Sequence, residues 1–115
     1  MAQLDDVLKQ LREFVHERDW GQFHDPKNLA MAVASEAGEL LAELRWVRSE
    51  EADIYAREAD NRERIASEAA DVGISLLLLC DRLGIDLIEA ITEKVRLNNE
   101  RYPVEKSKGR AERPS

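Results

Sequence analysis

The sequence predicts an all-α protein of four helices, and three observations carry that expectation. Apolar residues recur at three- and four-residue steps along four stretches of the chain. Helix start and stop signals stand at the ends of those stretches. Only five Gly and three Pro interrupt 115 residues that are 43% hydrophobic and 36% charged, a balance that favours a folded, mostly helical chain over a disordered one.

The first helix is expected over Leu4–Arg18, where Leu4, Val7, Leu8, Leu11, Phe14 and Val15 form one stripe. Asp19 to His24 breaks the pattern. Asp25-Pro26 then supplies an N-cap and the proline tolerated at the first helical position. The second helix runs on to about Arg48, with Leu29, Val33, Ala37, Leu40, Leu44 and Val47 on one side. Ser49 to Asp60 is acidic and reads as a connection with room for one or two helical turns.

The third helix is expected from about Asn61 to Leu83, with Gly84 as its C-terminal cap. Its interior, Val72 to Cys80, is apolar on nearly every side. Three other short helices offer too little surface to cover it, so part of it is expected to face another subunit. Asp86 and Glu89 open a fourth helix through Ile91 and Val95 to Arg101, and Tyr102-Pro103 stops it. Residues 1–103 therefore read as one helical domain, and 104–115 as a polar, basic tail, flexible or ordered only by contact.

Composition narrows the function classes. Net charge is −7, from 17 basic and 24 acidic residues, which argues against a broad grip on nucleic acid. The single cysteine, Cys80, lies in an apolar run and reads as a small buried hydrophobe, with no disulfide framework. The N-terminus shows no secretory signal, and the longest apolar stretch falls well short of the roughly 20 residues that span a bilayer. A soluble, cytoplasmic protein with no membrane partner is expected.

Two acidic pairs stand out, Glu36-x-x-Glu39 on the second helix and Glu68-x-x-Asp71 on the third. At 100° per residue Glu36 points within about 20° of Leu29, inside the apolar stripe, and Glu68 and Asp71 edge the stripe of their own helix. Small residues surround them: Ala34, Ser35, Ala37 and Gly38 on one helix, Ser67, Ala69 and Ala70 on the other. Close helix approach is therefore permitted. Four converging carboxylates repel at low dielectric unless a cation sits among them or they take up protons. Oxygen-only ligation selects a hard cation, Mg²⁺ or Mn²⁺, over zinc. Such spacings also arise by chance on solvated helix faces, which is the plain alternative. A di-iron carboxylate site is disfavoured: Glu13-x-x-His16 fits one of the two required motifs, but His24 cannot supply the second.

Taken together, Trp20, Phe23-His24-x-Pro26-Lys27-Asn28-Leu29, Glu36-Ala37-Gly38-Glu39-Leu40, Trp46, Glu68-Ala69-Ala70-Asp71 and Lys94-x-x-x-Asn98-x-x-Arg101-Tyr102-Pro103 resemble the MazG-like nucleotide pyrophosphohydrolases. The likeness runs from about residue 4 to residue 111 and is greatest to the small single-domain branch that includes dCTP pyrophosphatases. It implies a four-helix bundle assembled as a homodimer or homotetramer. It also implies Mg²⁺-dependent hydrolysis of a nucleoside triphosphate between its α- and β-phosphates. On this resemblance Glu36, Glu39, Glu68 and Asp71 would be metal ligands, one of them also helping to orient or deprotonate the attacking water.

Lys94, Asn98 and Tyr102 match positions that hold phosphate oxygens or the metal shell, and Arg101 shares their stripe. Trp20 and Trp46 offer surfaces on which a base can stack, and His24 a donor to a base edge or sugar hydroxyl. Each also has an ordinary reading, as a solvated face, a core plug or a loop hydrogen bond. The last residues, Glu112-Arg113-Pro114-Ser115, depart from the family's basic close on tyrosine, while Ser107-Lys108-Gly109-Arg110 still resembles the segment that precedes it. The sequence thus supports two function classes: a house-cleaning pyrophosphohydrolase acting on dCTP or a modified dCTP, and a non-catalytic helical oligomerisation or interaction module.

Overall fold

A computed structural model describes residues 3–111, and the expectation for Glu112 to Ser115 lies outside them. The described residues contain helices and no strand, so the all-α class holds. Six helices replace the expected four: α1 (Leu4–Glu17), α2 (Pro26–Ala42), α3 (Ser49–Arg57), α4 (Ala59–Leu83), α5 (Leu87–Arg101) and α6 (Val104–Ser107). None is long and apolar enough to cross a membrane. The chain divides into two compact units, Met1–Gly84 and Ile85–Ser115.

In the first unit, α1 ends in a Schellman motif: Trp20 N–H donates to the Val15 carbonyl and Asp19 N–H to that of His16, both at 3.1 Å. The motif needs a left-handed residue, and Asp19 takes that place at φ 52°. A 3₁₀ turn over Gly21–Phe23 leads into α2. There the Asp25 carboxylate caps Asn28 N–H at 2.9 Å, and the Asn28 side chain ties back to the Phe23 carbonyl at 3.1 Å.

α2 stops at Ala42, six residues before the expected end. Its last carbonyls are taken by tighter bonds, with Glu43 N–H on Leu40 at 3.2 Å and Leu44 N–H on Leu41 at 3.0 Å. Leu44 and Val47 keep the apolar period through these turns, which is why periodicity alone overruns the helix. The acidic stretch after it is a nine-residue helix, not a connection. Glu50 and Glu51 in its first turn complement the helix dipole, and Ala52, Tyr55 and Ala56 give it a half-buried stripe against α4. Glu58 alone, extended at φ −62°, ψ 136°, separates α3 from α4.

α2 packs along α4, with α1 and α3 also against α4. Leu29 and Cys80, at 3% and 7% exposure, are the buried apolar side chains among the described residues. Cys80 is the buried small hydrophobe its context predicted. Leu76, Leu77, Leu78 and Leu79 are half-buried, while Met31, Leu41, Ile74 and Leu83 are exposed. Ala34, Ser35, Ala37, Gly38, Ser67, Ala69 and Ala70 are all exposed, and a Cβ on Gly38 would meet nothing within 4 Å. The small residues beside the acids are therefore uncovered, and α2 and α4 run close together as such residues permit. Leu29 is the buried side chain of α2. Gly84 closes α4 in the left-handed region at φ 66°.

The second unit opens with Asp86, whose side chain caps Glu89 N–H at 3.0 Å. It carries α5 and then a single turn, α6, after Pro103. Regular structure thus continues to Ser107, past the point where the sequence predicts it to end.

Candidate functional site

The expected acids occupy facing turns of α2 and α4. Glu36, Glu68 and Asp71 each present a carboxylate oxygen such that the three atoms lie within 4.8 Å of one another. Glu36 and Glu68 are half-buried and Asp71 is exposed. Glu39, one turn on from Glu36, is exposed and outside this trio. The Glu68 carboxyl is pushed above its ordinary 4.5, first by burial, then by the charges of Asp71, Glu39, Glu36 and Glu43. A cluster that raises its own pKa is one that a cation relieves. Three oxygen donors, two of them partly withdrawn from water, fit a hard divalent ion.

One turn beyond the trio, Arg64 of α4 donates through Nε to Glu43 Oε2 at 3.3 Å, so a cation borders the acidic group without entering it. Neither residue was singled out as functional from the sequence. Arg64 lies four residues before Glu68, a helical neighbour, but its pairing with a residue 21 positions away has no local signature.

Trp20 lines a cavity of about 360 Å³ with Gln10, Leu11, Phe14, Val15, His24, Ile74 and Leu78. Phe14 meets Trp20 edge to face, ring centroids 5.5 Å apart, and the Arg18 guanidinium stacks 3.7 Å from the Phe14 centroid. Phe14 and Leu11 belong to the apolar stripe of the first helix. Only the packing of α1 against α4 shows that they wall an open space. His24 also borders a second cavity, of about 260 Å³, with Arg12, His16, Asp19, Asp81 and Arg82 among its walls. Trp46 is 86% exposed, with Arg45 5.5 Å from its ring, and does not line either cavity.

In the second unit Lys94, Asn98 and Arg101 are exposed at i, i+4 and i+7 of α5, one stripe as expected. Tyr102 caps that helix, its N–H on the Asn98 carbonyl at 2.8 Å and its ring 5.5 Å from the Arg101 guanidinium.

Comparison with known proteins places the chain in a family. The chain is 39% identical over 108 residues to dCTP pyrophosphatase 1 of Rattus norvegicus, covering 94% of this chain and 64% of that protein. It is 37% identical over 100 residues to dCTP pyrophosphatase 1 of Homo sapiens, covering 87% and 59%. The chain thus spans a little under two thirds of the length of the curated relatives it matches. Among solved structures, a pyrophosphatase from Archaeoglobus fulgidus DSM 4304 superposes with a TM-score of 0.80 at 39% identity, over 90% of this chain and 94% of that one. The model of the MazG-like family matches residues 31–114, most of the 115 residues, and the chain belongs to the MazG-like family.

Proposed function

We propose that this chain is a nucleoside triphosphate pyrophosphohydrolase that uses a divalent cation, Mg²⁺ or Mn²⁺, to cleave between the α- and β-phosphates. The products are a nucleoside monophosphate and pyrophosphate. The observation that carries the reading is the convergence of Glu36, Glu68 and Asp71 oxygens within 4.8 Å of one another. The names of the relatives, dCTP pyrophosphatase 1 and a pyrophosphatase, support the reaction class and make dCTP or a modified dCTP the first substrate to test.

Glu36, Glu68 and Asp71 would hold the cation, with Glu39 as a fourth carboxylate beside them. When bound, such an ion neutralises triphosphate charge, polarises the phosphorus and lowers the pKa of a bound water. Glu39, exposed and outside the trio, orients the attacking water and takes its proton on a carboxylate oxygen as the new O–P bond forms. The bond from the α-phosphorus to the bridging oxygen breaks, and its electron pair leaves with pyrophosphate. Lys94 and Arg101 are assigned as cations for phosphate oxygens, and Asn98 and Tyr102 as neutral donors.

Trp20 and His24 are assigned to the base and sugar on the strength of the cavity they share. Trp46 is assigned as a second stacking surface. The exposed Met31, Leu41, Ile74 and Leu83 of the first unit support assembly as a homodimer or homotetramer, which a light-scattering mass resolves. The reading itself is tested by pyrophosphate release from a panel of standard and modified triphosphates with Mg²⁺. Release from dCTP or a modified dCTP is expected. Absence of release from every member would refute it.

A further inference from the structure

Glu43, the residue that closes α2, faces Arg64 of α4, two turns past Glu36 on one side and one turn before Glu68 on the other. Glu43 follows Glu39 by four residues and Arg64 precedes Glu68 by four, so each lies about 6 Å along its helix axis from that acid, and Glu43 about 10 Å from Glu36. The guanidinium is held at both ends. Its Nε donates to Glu43 Oε2 at 3.3 Å, and its other arm donates to the Asn61 amide oxygen. Asn61 is the buried polar side chain among the described residues, and its own Nδ2 donates to the Tyr55 carbonyl at 3.0 Å and to Glu58 Oε2 at 3.2 Å. The corner between α3 and α4 thus fixes where Arg64 points.

Glu43 is the less comfortable partner. Its side chain is 23% exposed, against 50% for Arg64, so its carboxylate is partly withdrawn from water and depends on the guanidinium. Its charge also reaches Glu68, where it adds to the effects of burial and of Asp71, Glu39 and Glu36. At four residues from Glu39, its Cβ is a helical neighbour of that carboxylate.

We propose that Arg64 is a positioning residue for the metal site, holding Glu43 aside as a fifth carboxylate that would otherwise turn into the cation's shell. The inference rests on the metal-site reading above. A Mg²⁺ ion at work keeps open positions for water and phosphate oxygens, and a fifth carboxylate fills one of them while adding negative charge where the triphosphate must approach. Releasing Glu43 therefore strengthens the empty-handed metal site and weakens the working one. A simple brace behaves in the opposite sense, because losing it lets α2 and α4 drift and loosens metal binding.

The experiment measures Mg²⁺ affinity by titration calorimetry on the full chain without nucleotide, and kcat and KM for the preferred triphosphate alongside. Arg64→Met is expected to bind Mg²⁺ about 10-fold more tightly and to lose about 10-fold or more in kcat/KM. Arg64→Met with Glu43→Gln is expected to return both to within about 3-fold of wild type. Weaker or unchanged Mg²⁺ binding in Arg64→Met, or no rescue by Glu43→Gln, overturns the proposal. Arg64→Lys keeps the cation with less disturbance of the fold. It supports the proposal if Mg²⁺ affinity stays within about 3-fold of wild type and overturns it if affinity falls further. Wild-type protein that binds no Mg²⁺ would instead be a failure of the metal-site reading, seen before any variant is made.

Discussion

Arg12 and Asp81 bind α1 to α4 by a two-pronged ion pair, with Arg12 Nε 3.1 Å from each carboxylate oxygen of Asp81. The residues lie 69 positions apart, and the pair stands on the wall of the cavity that His16 and His24 share. The guanidinium holds the Asp81 carboxyl below its ordinary 3.8, through the hydrogen bonds first and the charge second.

Because that folded-state value is depressed, the stability from this pair is fully present above the ordinary value and is lost as pH falls through the lowered one. Thermal unfolding of Asp81→Asn is expected at a lower temperature than wild type at neutral pH. The two curves should converge once pH has fallen below the lowered Asp81 value. A gap that persists there would show that Asp81 acts by packing instead.

Glu68 runs the other way. Its folded pKa is raised, so at neutral pH the charged carboxylate weighs against the metal-free fold, and protonation relieves it as pH falls. In chelated protein, Glu68→Gln should therefore raise the melting temperature. Mg²⁺ should raise that of wild type, by an amount equivalent to about 2.7 kcal/mol at 100 times its Kd, and should leave Glu68→Gln nearly unmoved. A wild-type melting temperature indifferent to Mg²⁺ would favour the non-catalytic interaction module.

Glu39 is expected to matter for turnover more than for metal binding, since it lies outside the trio. Glu39→Gln should lower kcat for pyrophosphate release by about 100-fold or more while keeping the Mg²⁺ affinity within about 10-fold. Steady-state kinetics with calorimetry separates the two.

Removing the aromatic wall of the larger cavity should be felt in substrate binding. Stacking contributes about 1–3 kcal/mol per base, so Trp20→Ala is expected to raise KM by about 10-fold or more with a smaller change in kcat. Trp20→Phe should recover most of that loss. Equal losses in kcat from both variants would point to a folding role beside Phe14.

Leu29 anchors the first unit at 3% exposure. Leu29→Ala should cost about 2–5 kcal/mol of stability, measured by urea denaturation, whereas Leu41→Ala at 59% exposure should cost much less in a monomer and more in any assembly that covers it.

The sequence by itself determined the helical class, because a period near 3.6 and side-chain caps such as Asp25 and Asp86 act within a few residues of one another. It also placed Glu36, Glu68 and Asp71 on core-side edges, since helical geometry carries a residue's direction along the chain. It overran α2, where Leu44 and Val47 keep the period through turns, and allowed the α3 stretch room for only a turn or two within a connection, because a short acidic helix shows little apolar surface. Only the tertiary structure decided that Glu43 meets Arg64, that Phe14 and Leu11 wall a cavity, and that the small residues beside the acids remain uncovered in one chain. Those outcomes depend on which faces of separate helices meet, and no local pattern specifies the partner of a side chain that lies across an interhelical seam.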